Sequence, residues 1–185
     1  MAQSPSSHAT FRSVFEEHHD AIHRYCLRRL GIDDANEATA EVFLVAWRRV
    51  ERLPRHPEVL PWLYGVARNV VRNHRRGHHR RARLLGRLGS VREVPGDEPE
   101  LQVVRHHQEA EVHEALQRLR PEDQELLRLK AWEGLSNSQI GDLLGMSHRA
   151  VEGRYPRALK KLSKHLTMAD QRDASPRLAQ EGGEQ

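Results

Sequence analysis

Leu135–Leu162, LSNSQIGDLLGMSHRAVEGRYPRALKKL, reads as two helices joined by a tight glycine turn. Ser136 stands where a helix N-cap is needed, and Gln139 follows at the capping-box position. Ile140, Leu143 and Leu144 give the first helix one apolar face. Gly141 falls where the helices approach, and a missing side chain permits that approach. Gly145 makes the turn, because a left-handed backbone is cheap only for glycine. Ser147 caps the second helix, whose Val151, Tyr155, Leu159 (with Ala158), Leu162 and Leu166 recur at helical spacing and are expected to pack inward. His148, Arg149, Glu152, Gly153, Arg154 and Arg157 then point elsewhere, as groove-contacting residues of a helix-turn-helix do. An ordinary helical hairpin also uses a glycine turn. The two serine caps and the basic outer face favour DNA binding over it. Pro156 lacks an N–H and clashes with the carbonyl four residues back, so a kink near Glu152–Gly153, or an early end and a restart, is expected.

Outward from this motif the chain remains helical. Toward the N-terminus a second module shows apolar residues at helical spacing: Val14, Phe15, Ile22, Tyr25, Cys26 and Leu30, then Val42, Phe43, Ala46, Trp47 and Val50. Gly31 is expected to end the first helix, with Asp33 or Asp34 as the cap of the second. Pro54, Pro57 and Pro61 bracket a loop. A third helix is expected after Pro61, with Trp62, Leu63, Val66 and Val70 on its buried side. Residues 86–104 turn glycine-, proline- and acid-rich and read as a flexible linker, up to ~70 Å when extended. Residues 1–10 and 168–185 are polar and read as disordered. No stretch alternates apolar and polar residues as a strand would. The expected fold class is all-α: two small helical domains, 11–85 and 105–167, joined by that linker, the second containing the helix-turn-helix.

Composition narrows the function. The chain has 185 residues, 37% of them apolar, 30% charged and only 5% aromatic. No run of about 18 apolar residues offers a membrane span, so no membrane insertion is expected, and the N-terminus does not read as a secretion signal. Cys26 is the only cysteine, which excludes a disulfide framework and makes the cytoplasm the default location. The net charge is +4, unevenly spread. Between Glu58 and Glu93 there is no acid, while Arg68, Arg72, Arg75, Arg76, Arg80, Arg81, Arg83, Arg87 and Arg92 fall inside that window. Such a block points to a polyanionic partner. His19, His23 and Cys26 could line one helix face as metal ligands, and His74 and His78 form another i, i+4 pair. Cys26 fits the apolar stripe and the second pair lies among arginines, so neither a metal nor any other cofactor is expected. No catalytic constellation appears, so an enzyme is not expected.

Three segments, in order, resemble the bacterial RNA polymerase sigma factors of the extracytoplasmic-function group. Asp33–Val50, DDANEATAEVFLVAWRRV, resembles the helix that docks on the polymerase clamp. Pro61–Arg76, PWLYGVARNVVRNHRR, resembles the helix that melts and reads the −10 promoter element. Leu119–Ser147, LRPEDQELLRLKAWEGLSNSQIGDLLGMS, resembles the approach to the −35-reading helix-turn-helix. Ala40 stands where the family usually has glutamine, Glu37 and Asn73 where it often has aspartate, and Pro156 where it keeps the helix unbroken.

The resemblance implies that 11–85 is region 2 and 105–167 is region 4 of a sigma factor. Polymerase contact then falls to Asp34, Glu37, Glu41, Leu44, Trp47 and Arg48. Readout of the −10 element falls to Trp62, Tyr64, Arg68, Asn69, Arg72, Asn73, Arg75 and Arg76, and of the −35 element to Ser147, His148, Arg149, Glu152, Arg154 and Arg157. The implied partners are core RNA polymerase (clamp and flap), promoter DNA and an anti-sigma factor. The competing reading is a helix-turn-helix transcriptional regulator that binds duplex DNA without acting as a polymerase subunit.

Overall fold

The computed structural model describes residues 5–87 and 111–174, all in helices, turns and loops. Two compact units divide the chain, Met1–Asp97 and Glu98–Gln185.

In the first unit α1 (Pro5–Leu27), α2 (Ile32–Arg48) and α3 (Val59–Arg87) each pack on the other two, with a 3-10 turn at Val50–Arg52 after α2. Ile22, Tyr25 and Cys26 from α1, Ala38, Val42 and Ala46 from α2, and Leu63 and Ala67 from α3 fill the centre at 0–1% exposure. Small residues on α2 face bulkier ones on α1, which lets the helices come close. A cation closes one end of this core. The Arg29 guanidinium lies 3.6 Å above the Tyr25 ring and donates to the Tyr25 carbonyl at 3.1 Å. Arg75 of α3 in turn donates to the Arg29 carbonyl at 2.9 Å and 3.3 Å, tying α3 to the chain just after α1.

Three expectations about these elements need correction. Residues 1–10 were expected to lack structure, yet α1 begins at Pro5. Ser7 is buried and His8 meets the edge of Trp47 at 4.8 Å, so the early turns cover an aromatic surface that would otherwise face water. The third helix starts at Val59 and not after Pro61, since a proline in the first turn removes only an N–H that has no helical partner. Neither Asp33 nor Asp34 caps α2. Gly31 does not end α1, which stops at Leu27, but is the N-cap of α2, and both acids sit in the first turn beside the positive end of the helix dipole.

The second unit contains α4 (111–117 among the described residues), α5 (Pro121–Ala131), α6 (Asn137–Leu144) and α7 (His148–Ala174). Leu116, Leu119, Leu127 and Ala158 form one cluster, flanked by Val112, Tyr155 and Leu162. Ile140 and Val151, both 0% exposed, close the α6–α7 corner. That corner is built as its residues dictate. Ser136 accepts from the Gln139 backbone while the Gln139 side chain accepts from the Ser136 N–H, completing the capping box. Gly145 adopts φ +70°, and Ser147 accepts from the Ala150 N–H at 3.2 Å to cap α7. A Cβ on Gly141 would stand 2.6 Å from the Met146 carbonyl oxygen, so the close approach is to the turn itself.

α7 departs from expectation. It neither ends nor restarts at Pro156 and runs to Ala174, beyond the expected boundary at 167. Val151 and Ala158, buried at 0% and 1%, hold the helix on either side of the proline, and this packing outweighs a penalty of roughly 3 kcal/mol. Arg157 Nε donates to the Gly153 carbonyl at 2.6 Å, supplying a donor in the turn that Pro156 disturbs. Leu159 is 46% exposed; Ala158 occupies the inner line instead. The expected linker lies outside the described residues except for its first two positions, which end α3, and 175–185 of the expected tail lie outside them as well.

Candidate nucleic-acid interface

α3 presents its polar residues in two lines. Trp62, Asn69, Asn73 and Arg76 follow at i, i+7, i+11 and i+14, and Arg68, Arg72 and Arg75 at i, i+4 and i+7. Asn69, Arg72, Asn73 and Arg76 are exposed, while Trp62 and Arg68 are half-buried. Arg72 is held by the Asn69 side-chain oxygen at 3.0 Å, which fixes one cation above the helix surface. No acid is built into this helix, so nothing on α3 offsets its positive charge.

Two residues expected on this surface are engaged elsewhere. Tyr64 is 4% exposed and packs 5.3 Å from the Tyr25 ring, so it is a core residue and not a stacking platform. Its position one residue after Leu63 turns it toward α1. Arg75 is exposed, but its guanidinium is committed to the Arg29 carbonyl.

On α2, Asp34, Glu37, Glu41, Leu44 and Arg48 share a strip spanning roughly 80° of the helix. Leu44 stands out at 47% exposure, an apolar group among charges with no role in the core. Trp47 lies a step around the helix. Its ring meets Phe11 at 5.1 Å and His8 at 4.8 Å, so packing against α1 accounts for much of it.

The acids of this strip face histidines of α3. His78 Nε2 is 2.8 Å from Asp34, and His74 lies 3.1 Å from Glu41 through Nε2 and 3.9 Å from Asp34 through Nδ1. His74 and His78 therefore turn to the edge beside the core, away from the arginine lines that the sequence suggested as their surroundings. Ligand-type atoms of Asp34, Glu37 and His74 lie within 4.8 Å of one another. The other histidine set does not converge. Cys26 is fully buried, burial pushes its thiol above the usual value against an opposing hydrogen bond from Thr39, and His23 pairs with Asn36 at 3.3 Å.

In the second unit His148, Arg149 and Glu152 are exposed on the first turns of α7, with Arg157 exposed below them. Ser147 is occupied as the cap. Arg154 belongs to the fold: its Nε donates to Asp123 at 2.6 Å, and a terminal nitrogen reaches Glu122 at 3.4 Å. Lys161 donates to the other Asp123 oxygen at 2.9 Å. Burial opposes the Asp123 charge, but the hydrogen bonds from Lys161 and Arg154 outweigh it and hold the carboxyl below its ordinary value. The same pairing raises the Arg154 guanidinium. Sequence reasoning missed Asp123, since an acid in a helix first turn gives no sign that α7 will cover it.

Comparison with known proteins gives two family matches in chain order: Sigma-70 region 2 at residues 14–81 and Sigma-70 region 4 at 109–162. The chain is 28% identical over 159 residues to the ECF RNA polymerase sigma factor BldN of Streptomyces coelicolor, covering 84% of this chain and 60% of BldN, so it spans less than two thirds of that relative. It is 32% identical over 145 residues to the RNA polymerase sigma factor CnrH of Cupriavidus metallidurans, covering 74% of this chain and 76% of CnrH. The solved structure of CnrH with the cytosolic domain of CnrY matches at a TM-score of 0.62 and 22% identity, covering 85% of this chain and 88% of CnrH. That of the sigma factor RpoE with the anti-sigma factor NepR from Bartonella quintana matches at 0.67 and 18%, covering 85% of this chain and 96% of RpoE. These relatives are transcription initiation factors rather than enzymes.

Proposed function

Because the chain belongs to the RNA polymerase sigma factors, in the extracytoplasmic-function group, we propose that it binds core polymerase, directs it to specific promoters and promotes melting of the −10 element. The observation that carries this reading is the acid-free outer surface of α3, where Asn69, Arg72, Asn73 and Arg76 stand exposed beside a half-buried Trp62. A protein that only grips duplex DNA through a helix-turn-helix has no need of a second basic helix in its other domain.

Residues 11–85 serve as the region 2 domain and 105–167 as the region 4 domain, with 86–104 joining them. Phosphate contacts from Arg68, Arg72 and Arg76 supply salt-sensitive affinity. Bases extruded from the non-template strand are held beside Trp62 and the asparagines, where stacking contributes roughly 1–3 kcal/mol per base. Asp34, Glu37, Glu41, Leu44 and Arg48 form the polymerase-docking strip, with charge for register and Leu44 for burial. His148, Arg149, Glu152 and Arg157 face the −35 element. An anti-sigma partner is part of the proposal, as the complex of RpoE with the anti-sigma factor NepR suggests. No described helix is long and apolar enough to cross a membrane, and the proposed work with polymerase and DNA is cytoplasmic.

The test is transcription from a genomic promoter library with purified core polymerase. We expect transcripts that need both the chain and core, and weak DNA binding by the chain alone. A tight operator complex without polymerase-dependent transcripts would overturn the reading in favour of a stand-alone regulator.

A further inference from the structure

We propose that Asp34, Glu37, His74 and His78 form a binding site for one divalent transition-metal ion of the zinc class, bridging α2 and α3. The carboxylates lie at i, i+3 on α2 and the imidazoles at i, i+4 on α3, so each helix offers a pair of donors to the same gap. Donor atoms of Asp34, Glu37 and His74 are already within 4.8 Å of one another, and His78 Nε2 is 2.8 Å from the Asp34 carboxylate. Donors around a zinc ion sit roughly 3.3–3.5 Å apart, given bonds of about 2.0–2.1 Å. Small rotations of exposed Glu37 and of His78, 52% exposed, close the difference while the backbone stays fixed by the buried residues beneath.

The setting of His74 is the second observation. Its side chain is 11% exposed, and Nε2 lies 3.1 Å from Glu41. Glu41, a carboxylate that only accepts, takes the Nε2 side of the ring, which leaves Nδ1 on the side of Asp34, 3.9 Å away, as the nitrogen placed for an ion. A carboxylate holding the far nitrogen of a histidine is the arrangement that orients metal-binding imidazoles. Mixed imidazole and carboxylate donors suit zinc-class ions, whereas magnesium and calcium prefer all-oxygen sites. Three acids of α2, Asp34, Glu37 and Glu41, face the gap and supply the negative charge that a cation there needs.

An ion held here takes Asp34 and Glu37 out of the docking strip, so the filled site weakens polymerase binding. This consequence rests on the docking role proposed above; the site itself does not.

The test titrates the full chain with cobalt(II), whose visible absorption reports its donors, then displaces it with zinc. Folding of each variant is checked by circular dichroism. We expect one cobalt per chain. His74→Ala should weaken binding at least tenfold, Glu41→Gln by about 10- to 100-fold, and the double change His19→Ala/His23→Ala should leave it unchanged. No saturable spectrum, a spectrum indifferent to His74→Ala, or one lost with His19 and His23 would overturn the site. Binding to core polymerase is measured in parallel with chelator and with zinc, and should be weaker with zinc. Equal binding in both overturns the masking consequence. Binding in neither overturns the docking role and leaves the metal site to be judged by the titration.

Discussion

Asp123 joins α5 to α7 through two cations, and its side chain is only 3% exposed. Asp123→Ala should cost about 3 kcal/mol, the lower end for breaking a buried pair, because Lys161 is half exposed and can rehydrate. The folded carboxyl has a depressed pKa. Its stabilisation is therefore complete above the unfolded value near pH 4 and is lost as the pH falls through the lower folded value. Urea midpoints should drop further for the parent chain than for Asp123→Asn between about pH 6 and pH 3. Equal drops would place the acid sensitivity elsewhere. Two glycines give opposite expectations at the same scale. Gly141→Ala drives a Cβ onto the Met146 carbonyl, a backbone atom that cannot yield cheaply, and should destabilise by about 1–3 kcal/mol. Gly77→Ala, inside α3 with nothing within 4 Å of the new atom, should stabilise by roughly 0.5–1 kcal/mol. Thermal melts of the two variants decide both.

At the scale of elements, α7 shows how packing overrides a local preference. Pro156 should break a helix, yet Val151 and Ala158 are both buried and the helix runs on through it. Pro156→Ala restores a backbone donor and relieves the ring, so it should stabilise the second unit by up to about 3 kcal/mol in urea unfolding. A loss of stability would mean that the proline ring itself packs usefully. The α6–α7 corner behaves in the other way: its caps, its left-handed Gly145 and its missing side chain at Gly141 all lie within a few residues, and each appears where the sequence puts it. α3 mixes the two cases. Its arginine-bearing surface is legible from spacing, but the burial of Tyr64 and the hold of a carbonyl on the Arg75 guanidinium are not. Their partners, Tyr25 and Arg29, lie far back in the chain, and no local pattern announces them.

For the molecule as a whole, the division of labour among arginines is measurable. Replacing Arg72 and Arg76 with alanine should lower the salt slope of promoter binding by polymerase with this chain by about 2, one for each lost phosphate contact. Arg75→Ala should leave the slope nearly unchanged and destabilise the first unit by about 1.5–3 kcal/mol, because it removes charged hydrogen bonds to a carbonyl. A slope lowered by Arg75→Ala as well would return that residue to the DNA surface.

The sequence by itself determined the all-α class, the helix-turn-helix with its caps and turn, the acid-free basic helix and the family. These follow from periodicity, capping and charge, which are properties of contiguous residues. Only the tertiary structure decided which of those charges are available. It sent Arg154 to Asp123, Arg75 to Arg29 and Tyr64 to Tyr25, covered Trp47 with the early turns of α1, and set His74 and His78 against the acids of α2. The reason is physical: a side chain's partner depends on how helices distant in sequence are brought face to face, and burial then fixes pairings that spacing along one helix does not encode.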